Sequence, residues 1–425
     1  MEDTKKRPVL TFKAIWTSYS IIRNLFISPL ARFPGPKSWA ISYIPSQVSA
    51  ISGNHHKNVL ALHDKYGPIV RTGPTSLSFN TAQGFKDVYG FRQGVPQFPK
   101  DPKVYGSTLL AARDAIVGFL DNETHSRHRR LMSHGFSDRA LREQEARIVH
   151  FIDLFISRLR DLAHKGQDVD IRTWLNFTTF DITGDLMFAE TFDCLRDSQL
   201  HPWIGKIFTS IKSNATLSAI RHFPFLTMLQ EAFTPESFRR QLRESFNLTV
   251  EKADRRLLKG TDRPDFMSAI LKNGIIGEIE NEKSEDKKNR MMTRHEIHAN
   301  STLCVFLQSF PECLTDHTNL NSIILAGSET TATALSGCMY LLCTNKEALN
   351  RLSQEIRSTF RSDSEITSAQ CVPLPYLNAV IEETLRIYPP VATHLPRVVP
   401  KGGATVAGEF LPEDVRTLTI PFSSL

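Results

Sequence analysis

The sequence has no CxxC pair and no run of His and Cys at zinc-ligand spacing. Its six cysteines, Cys194, Cys304, Cys313, Cys338, Cys343 and Cys371, are scattered over 425 residues. That pattern excludes a disulfide framework and a zinc ribbon, and it implies a reducing, cytosol-facing environment in which Cys338 and Cys343 are buried thiols. No cysteine follows Cys371. Long apolar runs are missing too. The stretch from Ile15 to Leu30 is broken by Arg23 and falls short of the ~20 apolar residues a spanning helix needs. It has no small-residue cleavage site, which excludes a signal peptide. Residues 1–32 therefore read as an amphipathic segment lying on a membrane or on the protein. One-signed charge is absent as well: 51 Lys and Arg are mixed with 45 Asp and Glu, for a net +6. A nucleic-acid binder would gather its cations on one face, so that class is set aside. A mild preference for an anionic membrane surface remains. Internal repeats are not visible.

With 41% hydrophobic and 23% charged residues, the chain has the composition of an ordinary globular core. Periodicity predicts a mainly α protein with a small β portion near 66–80 and 393–410. The Phe33-Pro34-Gly35-Pro36 turn separates the N-terminal segment from the body. A hairpin follows, a short strand within 66–74 with 76–80. Helices are predicted over 56–65, 177–192 (with Gly184 at a close crossing), 241–259 and 266–271. The charge run 278–290 reads as an exposed loop. Thr293 and Glu296 have the spacing of a capping box. Asn345 is placed to cap a helix with the stripe Leu349, Leu352, Ile356 and Phe360. Leu374-Pro375-Tyr376 opens another whose buried side carries Leu377, Ile381, Leu385 and Tyr388. Strands are predicted over 393–399 and 404–410, joined by a Gly402-Gly403 turn.

The stretch that organises the chain is Ile323 to Leu335, IILAGSETTATAL, which reads as the middle of a long buried helix. Small and polar residues sit inside its apolar run: Ala326, Gly327, Ser328, Glu329, Thr330 and Thr331. Burying a carboxylate and hydroxyls is costly unless they are paired, and Gly costs a helix about 1 kcal/mol relative to Ala. One explanation is that Ala326 and Gly327 admit a flat body while Glu329 and Thr330 set a proton donor and acceptor beside it. The other is a helix–helix crossing with small residues at the contact. Upstream, His125 and Arg129 lie four apart on one helical face. They suit a carboxylate or phosphate, or else form a solvated basic face. Glu383 and Arg386 are spaced to pair on a helix surface.

Residues 302–322 interrupt the path from the capping box into the organising helix, with Pro311 in their middle. Asn300-Ser301 recurs as Asn321-Ser322. Removing the 302–322 segment joins the two halves into one helix, so the segment is expected to be foreign to the fold.

The order of these signals is more specific than any one of them. FPGP, His-x-x-x-Arg at 125 and 129, AGSETT at 326–331, Glu-x-x-Arg at 383 and 386, Pro-Pro and then Leu-Pro-Arg together resemble the cytochrome P450 family of haem-thiolate monooxygenases. YGPIVRTGP, LPYLNAVIEETLRIYPP and LPRVVPKGG are similar to its fungal secondary-metabolite branch, such as trichothecene and polyketide-tailoring hydroxylases. The resemblance spans roughly 30–413 apart from 302–322. It implies a mainly α cytochrome P450 fold, incomplete at the C-terminus, over 33–413 with an aberrant tail at 414–425. It implies haem b as cofactor, with electrons from NADPH through an NADPH–cytochrome P450 reductase. O2 and an apolar small-molecule substrate are the expected partners, at the cytosolic face of the endoplasmic reticulum membrane. Glu383 and Arg386 would lock the haem-side core. Ala326 and Gly327 would border the cofactor, and Glu329 and Thr330 would be catalytic, relaying protons. His125, Arg129 and Arg397 would hold the haem propionates. Phe91, Phe98, Phe208, Phe223 and Phe225 would line an apolar pocket, or pack an ordinary core. The family's iron ligand is a cysteine after Glu-x-x-Arg, and none stands there in this sequence. Because thiolate donation favours O–O cleavage, this chain is expected to be inactive. The alternative is a non-catalytic helical remnant or a mispredicted gene product.

Overall fold

A computed structural model describes residues 15–92, 94–105, 116, 118–205, 223, 240, 250–259, 263, 265–271, 275–276, 291–294, 296–297, 322–391 and 395–419. In chain order the labelled helices are α1 (Lys37–Ile41), α2 (Ile44–Ile51), α3 (His55–Tyr66), α4 (Ala82–Tyr89), α5 (Asn122–Ser133), α6 (Asp138–His164), α7 (Ile171–Phe188), α8 (Phe266–Leu271), α9 (Ser322–Thr344), α10 (Lys346–Thr359) and α11 (Pro375–Ile387). The strands are β1 (Ile69–Gly73), β2 (Ser76–Phe79), β3 (Ile275–Ile276), β4 (Met292–Thr293), β5 (Arg397–Val398), β6 (Ala404–Val406), β7 (Glu409–Leu411) and β8 (Arg416–Thr419). The mainly α class read from sequence is the class observed. The chain divides into two compact units: Met1–Val104 with Ala215–Gln230 and Ala392–Leu425, and Tyr105–Asn214 with Glu231–Val391.

The first unit is built on a four-stranded sheet of order β1-β2-β8-β5. β1 and β2 form the predicted antiparallel hairpin. β8 then lies parallel to β2 and antiparallel to β5. All four residues of β8 are buried, so the segment after Asp414, set apart on sequence, is a central strand as far as Thr419. Leu77, Phe79, Val406 and Leu411 form the dry centre of this unit, each 0% exposed. The single strand expected over 404–410 is instead a hairpin of β6 and β7. Ala407 and Gly408 turn it with φ of 50° and 84°, a left-handed pair that the alternating pattern concealed. The capping of α4 follows its sequence: Thr81 Oγ1 accepts the Gly84 N–H at 3.0 Å, satisfying a donor that the helix itself leaves open.

The second unit is centred on α7, which is buried on nearly all sides. Phe180, Met187 and Phe188 are 0% exposed there, with Trp174 and Phe177 on the same helix. At Gly184 an added Cβ would meet the Phe192 ring at 2.8 Å and the Glu190 carbonyl at 3.0 Å. The close approach expected at that glycine is therefore real, and it is made by the chain that follows α7. Asp181 supports the same turn by accepting the backbone N–H groups of Phe192, Cys194 and Leu195. Burial raises the pKa of Asp181 despite those three donors.

α9 runs along α7, the most extensive helix pairing among the described residues. Asn345 caps α10 as expected, its Oδ1 accepting the Ala348 N–H at 3.2 Å. Two readings are corrected. α11 buries Thr384, and Leu374 just before it is buried too, while Ile381, Leu385 and Tyr388 are 44–51% exposed; the stripe touches α9 at Tyr388, whose ring lies against Gly337. Cys338 is half-buried and Cys343 exposed, since the apolar run of α9 turns only one side toward α7. The predicted helical stretch 241–249, the loop 278–290 and the segment 302–321 lie outside the described residues.

Candidate active site

The organising stretch falls on α9, and its two faces differ. One is dry: Ser328 is 0% and Ala332 1% exposed, and Ser328 Oγ donates to the Thr179 carbonyl of α7 at 3.2 Å. The other is open: Gly327 and Thr331 are exposed, and Leu335 and Met339 are 42% and 43% exposed. The expectation of a helix buried all round is thus corrected: beside the face on α7, α9 is covered at Gly337, where an added Cβ would meet the Tyr388 ring at 2.5 Å, and it is open elsewhere at Gly327, Thr331, Leu335 and Met339.

Gly327 separates the two explanations offered for the small residues. A Cβ built there would find Thr183 Oγ1 at 3.4 Å and Thr183 Cγ2 at 3.6 Å. Those are ordinary contacts, so the crossing with α7 would accept alanine at this place. The glycine is not explained by the helix–helix contact. It leaves open backbone on the exposed side of α9. Glu329, one residue beyond Ser328, carries a buried Oε2 with no hydrogen-bond partner. Burial raises its pKa, and the Arg172 guanidinium opposes that shift only in part. A carboxyl group held toward its protonated form is a ready proton donor. Thr330 stands next to it, half-buried. Ala326 belongs to the same helix, at a position whose side chain is outside the description.

α5 begins with Asp121 Oδ2 accepting the Thr124 N–H at 2.7 Å. His125 is half-buried on this helix and Arg129 exposed. The neighbouring cations are anchored inward instead. Arg127 ion-pairs with Glu296 and donates to the Met291 carbonyl at 2.9 Å. His128, 0% exposed, meets Glu296 Oε1 at 3.1 Å, with the Phe119 ring edge-on at 4.6 Å. Glu296 also closes the predicted capping box: its Oε2 accepts the Thr293 N–H at 2.9 Å, and its own N–H donates to Thr293 Oγ1 at 3.0 Å. Burial works to raise the Glu296 pKa. The bonds from His128 and the Thr293 N–H, with the charge of Arg127, outweigh it and hold the pKa at about 2. Sequence spacing marked the capping box. It held no sign that Arg127 and His128, more than 160 residues away, would complete the cluster.

Glu383 and Arg386 form the expected pair, doubly bonded at 2.7 Å, and both are exposed on α11. An ion pair so exposed is screened by solvent and contributes little to stability. Arg397 lies on β5 in the first unit, half-buried, with its guanidinium 5.4 Å from the Tyr89 ring centroid. Of the phenylalanines proposed for a pocket, Phe98 is 6% exposed and packs in the first unit's core, while Phe91 is 79% exposed. Phe208 and Phe225 lie outside the described residues. Among those described, no cluster of His, Cys, Asp and Glu is arranged to hold a metal ion.

The family profile of cytochrome P450 matches residues 33–306 and 316–424. The chain belongs to the cytochrome P450 family, whose members are haem monooxygenases. It is 39% identical over 409 residues to the cytochrome P450 monooxygenase efuB of Hormonema carpetanum, covering 95% of this chain and 75% of that protein. It is 38% identical to the trichothecene C-15 hydroxylase of Fusarium sporotrichioides, covering 93% of this chain and 74% of that one. With the versicolorin B desaturase of Aspergillus parasiticus it shares 35% identity, over 92% and 72% of the two chains.

Proposed function

We propose that this chain is a haem-dependent monooxygenase component that oxidises an apolar secondary metabolite, with O2 as co-substrate and electrons from NADPH through a reductase. The observation that carries the reading is Gly327, a glycine that packing does not require, on the exposed side of α9. The partnerless Glu329 oxygen, two residues on along the same helix, is read as the proton-handling group. Bound haem would supply redox-active iron for oxygen activation. The chain's own residues would do the rest. Gly327 and Ala326 let a flat ring lie close to the helix backbone. Glu329, with its pKa raised by burial, holds a proton at its carboxyl, and Thr330 shares the transfer through its hydroxyl. His125, Arg129 and Arg397 provide donors for the carboxylates of the cofactor. Glu383 and Arg386 tie the side chains of α11 to each other.

The proposed insertion foreign to the fold is 302–322; the family match is interrupted inside it, between 306 and 316, and includes 302–306 and 316–322. A membrane surface is the proposed location. No helix of the described residues is long and apolar enough to cross a membrane, but Trp16, Phe26 and Ile27 are 62–75% exposed.

Titration of the purified protein with hemin tests the reading. Saturable one-to-one binding is expected. Absence of any saturable binding would refute it.

A further inference from the structure

Between α6 and α7 the second unit holds a cavity of about 620 Å3, within the range of sites that take a small organic molecule. One stripe of α6 forms the first wall. Glu143, Arg147, His150 and Leu154 recur there at helical spacing, and Phe151, 7% exposed, adds to the floor. Asp181 and Asp185 of α7, with Asp193 and Arg196 of the turn beyond it, form the opposite wall.

The donors and acceptors around the cavity decide what it can take. Its carboxylates are already engaged. Glu143 accepts from Arg139 Nε at 2.9 Å. Asp181 accepts three backbone N–H groups. Asp185 is ion-paired with Arg263, which also donates to the Asp185 carbonyl at 2.9 Å. Asp193 accepts from Thr191 Oγ1 at 2.6 Å and pairs with Arg196 at 3.1 Å. Arg196 is engaged too, by Asp193 and by a forked pair of bonds to Asp197. Two groups of α6 differ. Among the described residues, Arg147 has a single polar contact, 3.7 Å to Asp185 Oδ2. That is too long for a hydrogen bond, and it falls on a carboxylate that Arg263 already holds. His150 lies edge-on to the Phe151 ring at 5.4 Å, with no hydrogen bond to either ring nitrogen among the described residues. The free donors of the cavity therefore stand three residues apart on one helix, above an apolar floor.

We propose that this cavity binds an apolar monocarboxylate. Arg147 donates to the carboxylate through its guanidinium fork, His150 donates through one ring nitrogen, and the apolar body lies on Phe151 and Leu154. Arg147 breaks no hydrogen bond to do this, and Asp185 stays neutralised by Arg263. The engaged acids Glu143, Asp185 and Asp193 rim the site with negative charge, which selects against a dianion.

The probe is 2-naphthoate, titrated into the full chain by calorimetry. Saturable one-to-one binding is expected, and methyl 2-naphthoate, whose carboxylate is capped, should bind roughly tenfold more weakly. Arg147→Gln should weaken 2-naphthoate roughly tenfold, the loss of a charge-assisted bond. Arg147→Lys should recover most of it, and Arg142→Gln, exposed on the same helix outside the cavity, should change nothing. A second readout uses wild type alone: carbethoxylation of His150, followed by mass spectrometry, should be slowed by 2-naphthoate and not by its ester. Equal affinity for acid and ester, equal affinity in wild type and Arg147→Gln, or a His150 left unprotected would overturn the proposal. Tighter binding of 2-naphthyl phosphate would overturn the monocarboxylate as occupant. The site is independent of haem, so displacement of 2-naphthoate by hemin would count against it, whereas failure to bind hemin would leave it standing.

Discussion

Glu329 leaves a carboxylate oxygen buried without a hydrogen-bond partner, and burial raises its pKa above the ordinary 4.5. The sign of the linkage follows. The folded state binds this proton more tightly than the unfolded state does. Glu329 therefore costs stability at neutral pH, and that cost disappears as pH falls through the raised value toward 4.5. Glu329→Gln is expected to raise the thermal midpoint at pH 7 by ~2 °C, with the gain vanishing in acid. A midpoint unchanged or lowered at pH 7, read by circular dichroism, would show that Glu329 is satisfied in solution. A residue kept at a cost to stability is what a proton-handling site looks like. This much was legible in the sequence, because an acid inside an apolar helical run is visible without coordinates. Lys100 was not. It bridges a residue almost 300 positions on, and no local pattern announces that pairing.

At the scale of elements, α5 is held by Glu296. One carboxylate closes a capping box with Thr293 and at the same time receives Arg127 and His128 from α5. Its pKa of about 2 means that it stabilises the fold above 4.5, and that this contribution is lost as pH falls from 4.5 to about 2. Glu296→Gln should cost about 1–3 kcal/mol in urea unfolding near pH 7, and the variant should lose the wild type's stability decline across that acid window. An identical acid decline in both proteins would show the cluster to be energetically idle. Elements announced by local chemistry were readable: the β1–β2 hairpin, the Asn345 cap, the Thr293–Glu296 box and the crowded Gly184. Those decided by distant packing were not. α11 turns Ile381 and Leu385 outward although their spacing marks a buried stripe, and the β6–β7 hairpin hides its turn at Ala407 and Gly408 inside an apparently continuous strand.

At the scale of the whole molecule, the family is settled by the match over 33–306 and 316–424, while membrane contact and haem binding are the testable parts. The N-terminal helix over 15–22 and the turn beyond it expose Trp16 and Phe26 at 62% and 75%, and α2 exposes Ile44, Val48 and Ile51 along one side at 50–61%. The chain is net cationic at +6, so apolar insertion and attraction to anionic lipid act together. Co-sedimentation with phosphatidylserine vesicles is expected, and Trp16→Ser with Phe26→Ser should reduce it several-fold. Vesicle binding indifferent to both substitutions would place the membrane contact elsewhere.

Haem binding to Gly327→Ala and Gly327→Leu measures the central claim most directly. The crossing with α7 leaves room for a methyl group, so Gly327→Ala should keep the fold and gain up to about 1 kcal/mol in helix stability, while its hemin affinity falls. Gly327→Leu should remain folded by circular dichroism and lose saturable hemin binding. A folded Gly327→Leu variant that bound hemin as wild type does would show that the open face of α9 is not where the porphyrin lies.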